Sequence, residues 1–177
     1  MPDALVERLV EAFPGVVEPL ETPFDIPQVR VNDPAPLVEI CRWLKDDGFN
    51  MLIDIGGVDY LPRPNRFEVV YHLLDMSALR RLRLRVIPNE EKPEVPSVGE
   101  VWPSALAPER EVYDLFGITF TGHPDLRRIM LPDNWRGHPL RKDYPLQGPR
   151  FNEEKKFPSQ QARFRAPKLP GTLEPGK

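Results

Sequence analysis

The chain has 177 residues, a formal net charge of -3 and 29% charged residues, a size that accommodates one folded domain and a terminal extension. This mild acidity gives no basis for binding nucleic acid or an anionic membrane surface. The single cysteine excludes an internal disulfide and a metal cluster held by several thiolates. No apolar run reaches the roughly 18 residues of a membrane-spanning helix, and no signal peptide opens the chain. We therefore expect a soluble protein of a reducing compartment that meets a membrane only through a partner.

The first third of the sequence predicts two helices and two short strands. A helix is expected over residues 4–13, and extended runs follow at 16–20 and 27–31. Asp33 and Pro34 combine a capping side chain with proline at the first helical position, which predicts the start of a second helix there. Its apolar face, at helical spacing, consists of Leu37, Ile40, Cys41 and Leu44. Cys41 is therefore expected in the core rather than as a reactive thiol.

The middle of the sequence predicts an antiparallel meander of three strands with one buried face. The runs 49–55, 67–74 and 81–87 each alternate at the period of a strand. In the first run this alternation places four apolar side chains on the buried side, namely Phe49, Met51, Ile53 and Ile55. In the third run, leucine and valine alternate with Arg81, Arg83 and Arg85. Because no glycine-rich phosphate loop is present, this ladder favours a solvated or partner-facing sheet surface over a phosphate site.

A third helix is predicted shortly before residue 117. Ser97 is a candidate cap for a helical patch that follows a proline-rich connection. Pro108 then opens a turn whose acids, Glu109 and Glu111, lie at the positive end of a helix dipole. Apolar side chains at i, i+3 and i+4 form its buried face, and Gly117 ends it; they are Val112, Leu115 and Phe116. The pattern predicts a short amphipathic helix with a dense acidic and arginine rim.

The composition changes at Pro145. Residues 145–177 contain six prolines and seven Lys or Arg against three acids, a net charge of +4 that leaves -7 for residues 1–144. Such a segment buries too little apolar surface to fold by itself. Three phenylalanines suit an arm that orders along a partner, with a disordered tail as the alternative; they are Phe151, Phe157 and Phe164. The sequence thus predicts an α+β domain over 1–144, with helices packed on a mostly antiparallel sheet, and an irregular, proline-rich C-terminal arm over 145–177.

Two histidines and the neighbouring acids supply the parts of a metal site or of acid–base catalysis. The set comprises His123, His138, Glu109, Glu111, Tyr113 and Asp114. Each histidine lies in a Gly-His-Pro turn, where proline biases it towards an extended backbone, and no HExxH spacing puts two ligands on one helical face. The residues alone favour a polar network, with Arg110 as partner of the acids, that supports a protein-interaction surface. We assign no catalytic, cofactor-binding or metal residue; a small histidine-dependent metalloenzyme is the alternative.

Three motifs in this region resemble a known family. They are EREVYDLFGI (109–118), GHPDLRRI (122–129) and GHPLRKDYP (137–145). In order and spacing they are similar to the C-terminal signature of a family formed by the C subunit of NADH-quinone oxidoreductase, the small hydrophilic component of the peripheral arm of respiratory complex I. The match is dense from Trp102 to Pro145, and Ala107 stands where the family usually has Trp.

The resemblance marks twenty residues as subunit-interface or structural residues. They are Glu109, Arg110, Glu111, Tyr113, Asp114, Phe116, Gly117, Gly122, His123, Pro124, Arg127, Arg128, Gly137, His138, Pro139, Arg141, Lys142, Asp143, Tyr144 and Pro145.

The resemblance also implies a function. It implies a non-redox structural subunit of a proton-translocating NADH:quinone oxidoreductase, in which FMN, iron–sulfur clusters and quinone are bound by partner subunits. The chief partners implied are the quinone-site large subunit and the terminal-cluster subunit, at the cytoplasmic side of the cell membrane. The alternative is the equivalent subunit of a membrane-bound hydrogenase or of a ferredoxin-driven complex. The latter typically has Gly-Trp-Pro where this chain has Gly137-His138-Pro139, which favours the respiratory form.

Overall fold

A computed structural model describes residues 4–21, 26–89 and 92–145 of the chain. In chain order its elements are α1 (Ala4–Ala12), β1 (Val17–Leu20), β2 (Gln28–Val31), α2 (Leu37–Asp46), β3 (Met51–Asp59), β4 (Phe67–Asp75), β5 (Arg80–Val86), β6 (Glu94–Pro96), a 3-10 turn (Pro103–Ala105), α3 (Leu106–Phe116) and β7 (Thr119–Thr121). The predicted arm beyond Pro145 lies outside the described residues and stays a prediction.

Five strands form one sheet in the order β1-β2-β5-β4-β3. The predicted meander is confirmed, since β3 pairs antiparallel with β4 and β4 with β5. β1 and β2 also pair antiparallel, and β2 joins the meander by pairing parallel with β5. A second, two-stranded parallel pair joins β6 and β7. The architecture is α+β with a mostly antiparallel sheet, as predicted.

One face of the sheet and the apolar faces of the helices share a single hydrophobic core. Leu9 of α1, Ile40 of α2 and Leu84 of β5 are fully buried in it. Cys41 is also fully buried, as predicted, and burial raises the pKa of its thiol far above the ordinary value. This thiol is therefore a neutral core group. None of the helices in the described ranges is long and apolar enough to cross a membrane.

The predicted buried face of β3 is wrong at two positions. Met51 and Ile53 are 44% and 48% exposed, whereas Leu52 and Ile55 are buried. The pairing with β4 shifts between Leu52 and Asp54, so that Ile53 is an extra residue in the strand. A bulge of this kind reverses the alternation of side chains. Because the inserted residue leaves no mark in the apolar pattern, simple alternation assigned the wrong face.

Two predicted helix starts are also wrong. The carboxylate of Asp33 accepts a hydrogen bond from the N–H of Ala35 at 2.9 Å, which builds a turn, and α2 begins only at Leu37. Ser97 follows β6 and caps no helix; its hydroxyl accepts from the N–H of Gly99 at 3.2 Å. In both cases a side chain that suits a helix cap stabilises a turn instead.

Candidate functional site

The last turn of α3 carries a buried aspartate that organises the following loop. The side chain of Asp114 is fully buried. Its Oδ2 accepts from the N–H groups of Ile129, Met130 and Leu131 at 3.0, 2.8 and 2.8 Å, and its Oδ1 accepts from Arg128 at 2.5 Å. Burial alone would raise the pKa of Asp114, but these donors outweigh burial and lower it. The carboxylate is therefore an ionised anion that fixes the backbone of residues 129–131.

Arg128 and His138 fasten the same loop to the end of α3. Arg128 donates to the carbonyl oxygens of Asp114 and Gly137 at 3.2 and 3.0 Å. Nδ1 of His138 lies 2.9 Å from the carbonyl oxygen of Asp114, and since a carbonyl only accepts, Nδ1 carries the proton. Burial is the largest influence on the pKa of His138 and lowers it, so the ring is neutral at neutral pH. We call Asp114, Arg128, His138 and the N–H groups of 129–131 the Asp114 cluster.

The end of α3 leaves room for no side chain at Gly117. This residue has φ +71° and ends the helix where the sequence predicts. A Cβ there would lie 2.5 Å from Cδ2 of His138 and 2.6 Å from a guanidinium nitrogen of Arg141. Arg141 donates to the carbonyl oxygens of Phe116 and Gly117 at 2.5 and 3.3 Å. The glycine thus permits both the left-handed turn and the approach of the 137–145 motif to the helix end.

A second polar group ties residues 142–143 to the end of β3 and to the loop that follows it. Arg66 makes ion pairs with Asp59 at 2.8 Å and with Asp143 at 2.7 Å. The N–H of Lys142 donates to Asp59 at 2.8 Å. Burial favours a raised pKa for Asp59, but the hydrogen bonds from Arg66, Lys142 and Leu61 lower it to about 2. Sequence reasoning missed Asp59 and Arg66 as site residues, because they lie 83 and 77 positions before their partners.

The first half of α3 holds a second buried acid. Glu109 accepts from the hydroxyl of Ser97 at 2.6 Å and from the N–H of Val98 at 2.8 Å, and burial raises its pKa. His123 Nε2 donates to the carbonyl oxygen of Leu106 at 3.0 Å, and its Nδ1 accepts from the N–H of Asp125 at 3.0 Å. The acid and the imidazole therefore connect β6 and the turn after β7 to α3.

The predicted exposed rim of α3 needs correction. Glu109 and Asp114 are fully buried, and only Glu111 among the three acids is exposed. Arg110, predicted as their partner, instead donates to the carbonyl oxygens of Arg127 and Arg128 at 3.0 and 2.9 Å. The sequence did contain a signal that Glu109 is buried. Ala105, Glu109, Val112 and Phe116 are spaced at i, i+4, i+7 and i+11, which places them on one face of a helix, and all four are buried.

The two histidines do not converge on one site. Their carbonyl partners, on Leu106 and Asp114, are eight residues and therefore about 12 Å apart along the helix. In the described ranges no group of three or more His, Cys, Asp or Glu side chains is arranged to hold a metal ion. Each ring nitrogen that faces the helix is occupied by a backbone carbonyl, which suits a structural role better than proton transfer.

The remaining motif residues surround these groups. The ring of Tyr113 meets His138 edge-on at 6.1 Å, and the hydroxyl of Tyr144 donates to the carbonyl oxygen of Arg136 at 3.2 Å. Gly122 and Gly137 have φ values of +81° and +80° in the two Gly-His-Pro turns. Four further motif residues lie at least partly at the surface, namely Pro124, Arg127, Pro139 and Pro145.

The polar groups hold three apolar side chains at the surface. Ile129, Met130 and Leu140 are 41%, 61% and 49% exposed. Ile129 and Met130 stand on the backbone that Asp114 fixes, and the N–H of Leu140 donates to the carbonyl oxygen of Leu115 at 3.0 Å. Apolar side chains on a rigid backbone, surrounded by arginines, are typical of protein interfaces.

Comparison with known proteins gives consistent matches. The family model described as "Respiratory-chain NADH dehydrogenase, 30 Kd subunit" matches residues 30–150. The C subunit of NADH-quinone oxidoreductase from Roseiflexus sp. (strain RS-1) is 49% identical over 146 residues, which cover 80% of this chain and 83% of that protein. The protein of the same name from Methylobacterium sp. (strain 4-46) is 48% identical over 148 residues, covering 82% of this chain and 68% of the relative.

Two solved structures share the fold. A trypsin-resistant fragment (1-134) of Nqo5 is 40% identical, with a TM-score of 0.62 over 69% of this chain and 98% of the fragment. A chain of the membrane-bound sulfane sulfur reductase, an archaeal respiratory membrane complex, is 21% identical, with a TM-score of 0.68 over 98% of this chain and 95% of its own. At that identity the second likeness concerns the fold alone.

Proposed function

The chain belongs to the family of the respiratory-chain NADH dehydrogenase 30 Kd subunit, and we propose that it acts as a non-redox structural subunit of an NADH:quinone oxidoreductase. In this role it helps to build the quinone-reducing module, while electrons pass from NADH to quinone through other subunits of the proton-translocating complex. The chain is then part of an enzyme without supplying a catalytic residue.

The Asp114 cluster is the observation that carries this proposal. Its carboxylate is saturated by one guanidinium and three backbone N–H groups, so it is neither a free base nor a free metal ligand. The same bonds hold Ile129 and Met130 outwards. A site that uses its charges internally and exposes apolar groups favours binding to protein over chemistry.

We assign the redox groups to partners. The only thiol, Cys41, is buried in the core, and this supports a chain without an iron–sulfur cluster, since such clusters need several thiolates. FMN, the iron–sulfur clusters and quinone then lie in other peripheral-arm subunits. The chief partners proposed are the quinone-site large subunit and the terminal-cluster subunit, with the complex peripheral on the cytoplasmic side of the cell membrane.

The proposal is tested by changing the exposed apolar pair in the full chain within its own complex. Ile129→Asp with Met130→Asp places charges at the proposed interface, and we expect the fraction of the chain captured with NADH-binding and quinone-site subunits to fall at least about tenfold. Leu79→Asp is the matched control, because Leu79 is 78% exposed and far from the motif region in sequence, in the turn between β4 and β5. NADH:quinone activity of the membranes should fall in parallel with capture.

Three outcomes contradict this function. Normal capture together with lost electron transfer would give the pair a direct role in the chemistry. A stoichiometric flavin or cluster absorption band in the purified chain would overturn the non-redox assignment. Capture of hydrogenase or ferredoxin-linked subunits instead of NADH-binding ones would place the chain in a related complex.

A further inference from the structure

A basic cavity lies on the face of the sheet opposite the core. Its volume is about 470 Å³, and its lining includes Arg30 of β2, Arg85 of β5, and Tyr60, Arg63 and Glu68. This volume falls within the range of about 300–1,000 Å³ that is usual for small-molecule sites. The cavity is separate from the Asp114 cluster and shares no lining residue with it.

The strand pairing places two arginines side by side in the wall. Arg30 and Arg85 are direct partners in the parallel register of β2 and β5, and like charges in that position destabilise a sheet. Glu68 offsets one of them, since it accepts from Nε of Arg85 at 2.7 Å. The hydroxyl of Tyr60 also accepts from Arg85, at 2.7 Å. The charge of Arg85 is thus paired within the wall.

Arg30 and Arg63 have no carboxylate partner in the described part of the chain. Nε of Arg30 is buried and has no hydrogen-bond partner, and Glu18, its neighbour on β1, makes no ion pair with it in the described part of the chain. Arg63 lies over the ring of Tyr60 at 5.6 Å and likewise has no carboxylate partner there. Because Glu68 neutralises Arg85, the charges of Arg30 and Arg63 give the lining an excess of two positive charges. Residues 1–144 as a whole are acidic.

We propose that this cavity binds the phosphate group of a small phosphorylated molecule, held by Arg30 from the sheet and by Arg63 from the loop. Arg30 is half-buried and its Nε is an unused donor; an oxyanion is the best acceptor for such a guanidinium, and arginine forks match phosphate geometry. The space exceeds one phosphate group, and Tyr60, Pro64 and Ile87 provide apolar surface for an organic part. The free ion and a phosphate monoester share this chemistry, and the binding experiment separates them.

The test is isothermal titration calorimetry on the full chain in phosphate-free buffer at low ionic strength. The probes are AMP, inorganic phosphate and adenosine. We expect AMP to bind at 1:1 stoichiometry, phosphate more weakly, and adenosine not at all. Arg63→Gln, in an exposed loop position, and Arg30→Gln should each weaken AMP binding at least about tenfold, the loss of one charge-assisted contact.

Arg83→Gln is the matched control. Arg83 lies on the same strand as Arg85 and also has a buried Nε without a partner among the described residues, but it does not line the cavity. Its substitution should leave the affinity for AMP within about threefold of the parent chain. If inorganic phosphate binds as tightly as AMP, and Arg63→Gln weakens both affinities equally, the site is supported with the free ion as its ligand.

Three results overturn the proposal. They are the absence of AMP and phosphate binding at millimolar concentration, adenosine binding as tightly as AMP, and an equal loss of affinity in Arg83→Gln. If Arg30→Gln fails to fold, Arg63→Gln decides alone, because its side chain is at the surface and its melting temperature should match that of the parent chain.

Discussion

At the level of single residues, Asp114 shows that a reactive-looking group in the 109–145 region serves as a fixed anion. A buried carboxylate is stable only when donors replace the water it has lost. Asp114 has four such donors, of which three belong to consecutive backbone N–H groups. Its role is therefore to determine the path of the chain after residue 128, and the side chain of Arg128 completes the neutralisation.

We expect Asp114→Asn to lower the free energy of unfolding by about 3 kcal/mol, because it leaves Arg128 without its counter-ion and sets an amide group against backbone donors. Urea unfolding at neutral pH measures this change. Asp125→Asn is the control, since among the described residues Asp125 makes its ion pair with Arg127 at the surface, where the two side chains are 56% and 70% exposed. It should change stability by less than about 0.5 kcal/mol. Equal effects of the two substitutions would contradict the structural role of Asp114.

Asp59 predicts a distinct dependence of stability on pH. Its pKa is about 2 in the folded chain and about 3.9 when unfolded. A lowered folded pKa stabilises the fold above the unfolded value, and this contribution is lost as the pH falls from about 4 to about 2. Asp59→Asn removes the group, so the stability gap between parent and variant should shrink by about 2 kcal/mol between pH 5 and pH 2.

Urea unfolding of both proteins across that pH range makes the comparison. A gap that stays constant with pH would show that Asp59 does not carry the ionised interaction with Arg66 and Lys142. Arg66 also binds Asp143. The same unfolding measurements therefore also report on the stability of the contact between the 137–145 motif and the sheet.

At the level of elements, local patterns predicted what local forces determine. The helical period located the buried face of α2, and Gly117 located the end of α3, because periodicity and a left-handed residue are properties of neighbouring positions. The bulge at Ile53 and the parallel pairing of β2 with β5 depend on strands distant in sequence. The alternating pattern contains no information on either.

Gly117→Ala should destabilise the chain by about 3 kcal/mol. Part of this cost, about 1 kcal/mol, comes from placing a side chain at φ +71°, and the rest from displacing His138 and Arg141. Gly15→Ala separates the two contributions, because Gly15 has φ +77° but a Cβ added there would meet no atom of the described residues within 4 Å. Denaturant unfolding of both variants should show the larger loss at position 117. Equal losses would mean that the 137–145 motif does not pack against the helix end.

At the level of the whole molecule, the candidate site joins segments that the sequence shows as separate. The three motifs at 109–118, 122–129 and 137–145 indicated that this region forms one site. In the structure the second and third motifs pack against α3, which contains most of the first. The contribution of the end of β3 and of the loop after it was not predictable, because Asp59 and Arg66 are ordinary in type and lie more than 70 residues from their partners. That loop also carries Tyr60 and Arg63 of the basic cavity, so residues 59–66 both bind the 137–145 motif and line the cavity.

Ending the chain after Pro145 tests the division between domain and arm. We expect the midpoint and slope of urea unfolding to match those of the full chain, because every core residue of the described part precedes this point. Capture with partner subunits should fall, since the removed segment carries a net charge of +4 and three phenylalanines, which we predict to bind a partner. Phe151→Ser, Phe157→Ser and Phe164→Ser together in the full chain separate the apolar anchors from the basic charge. Full capture of the shortened chain would refute the arm as a binding element, and a lowered midpoint would show that it belongs to the domain.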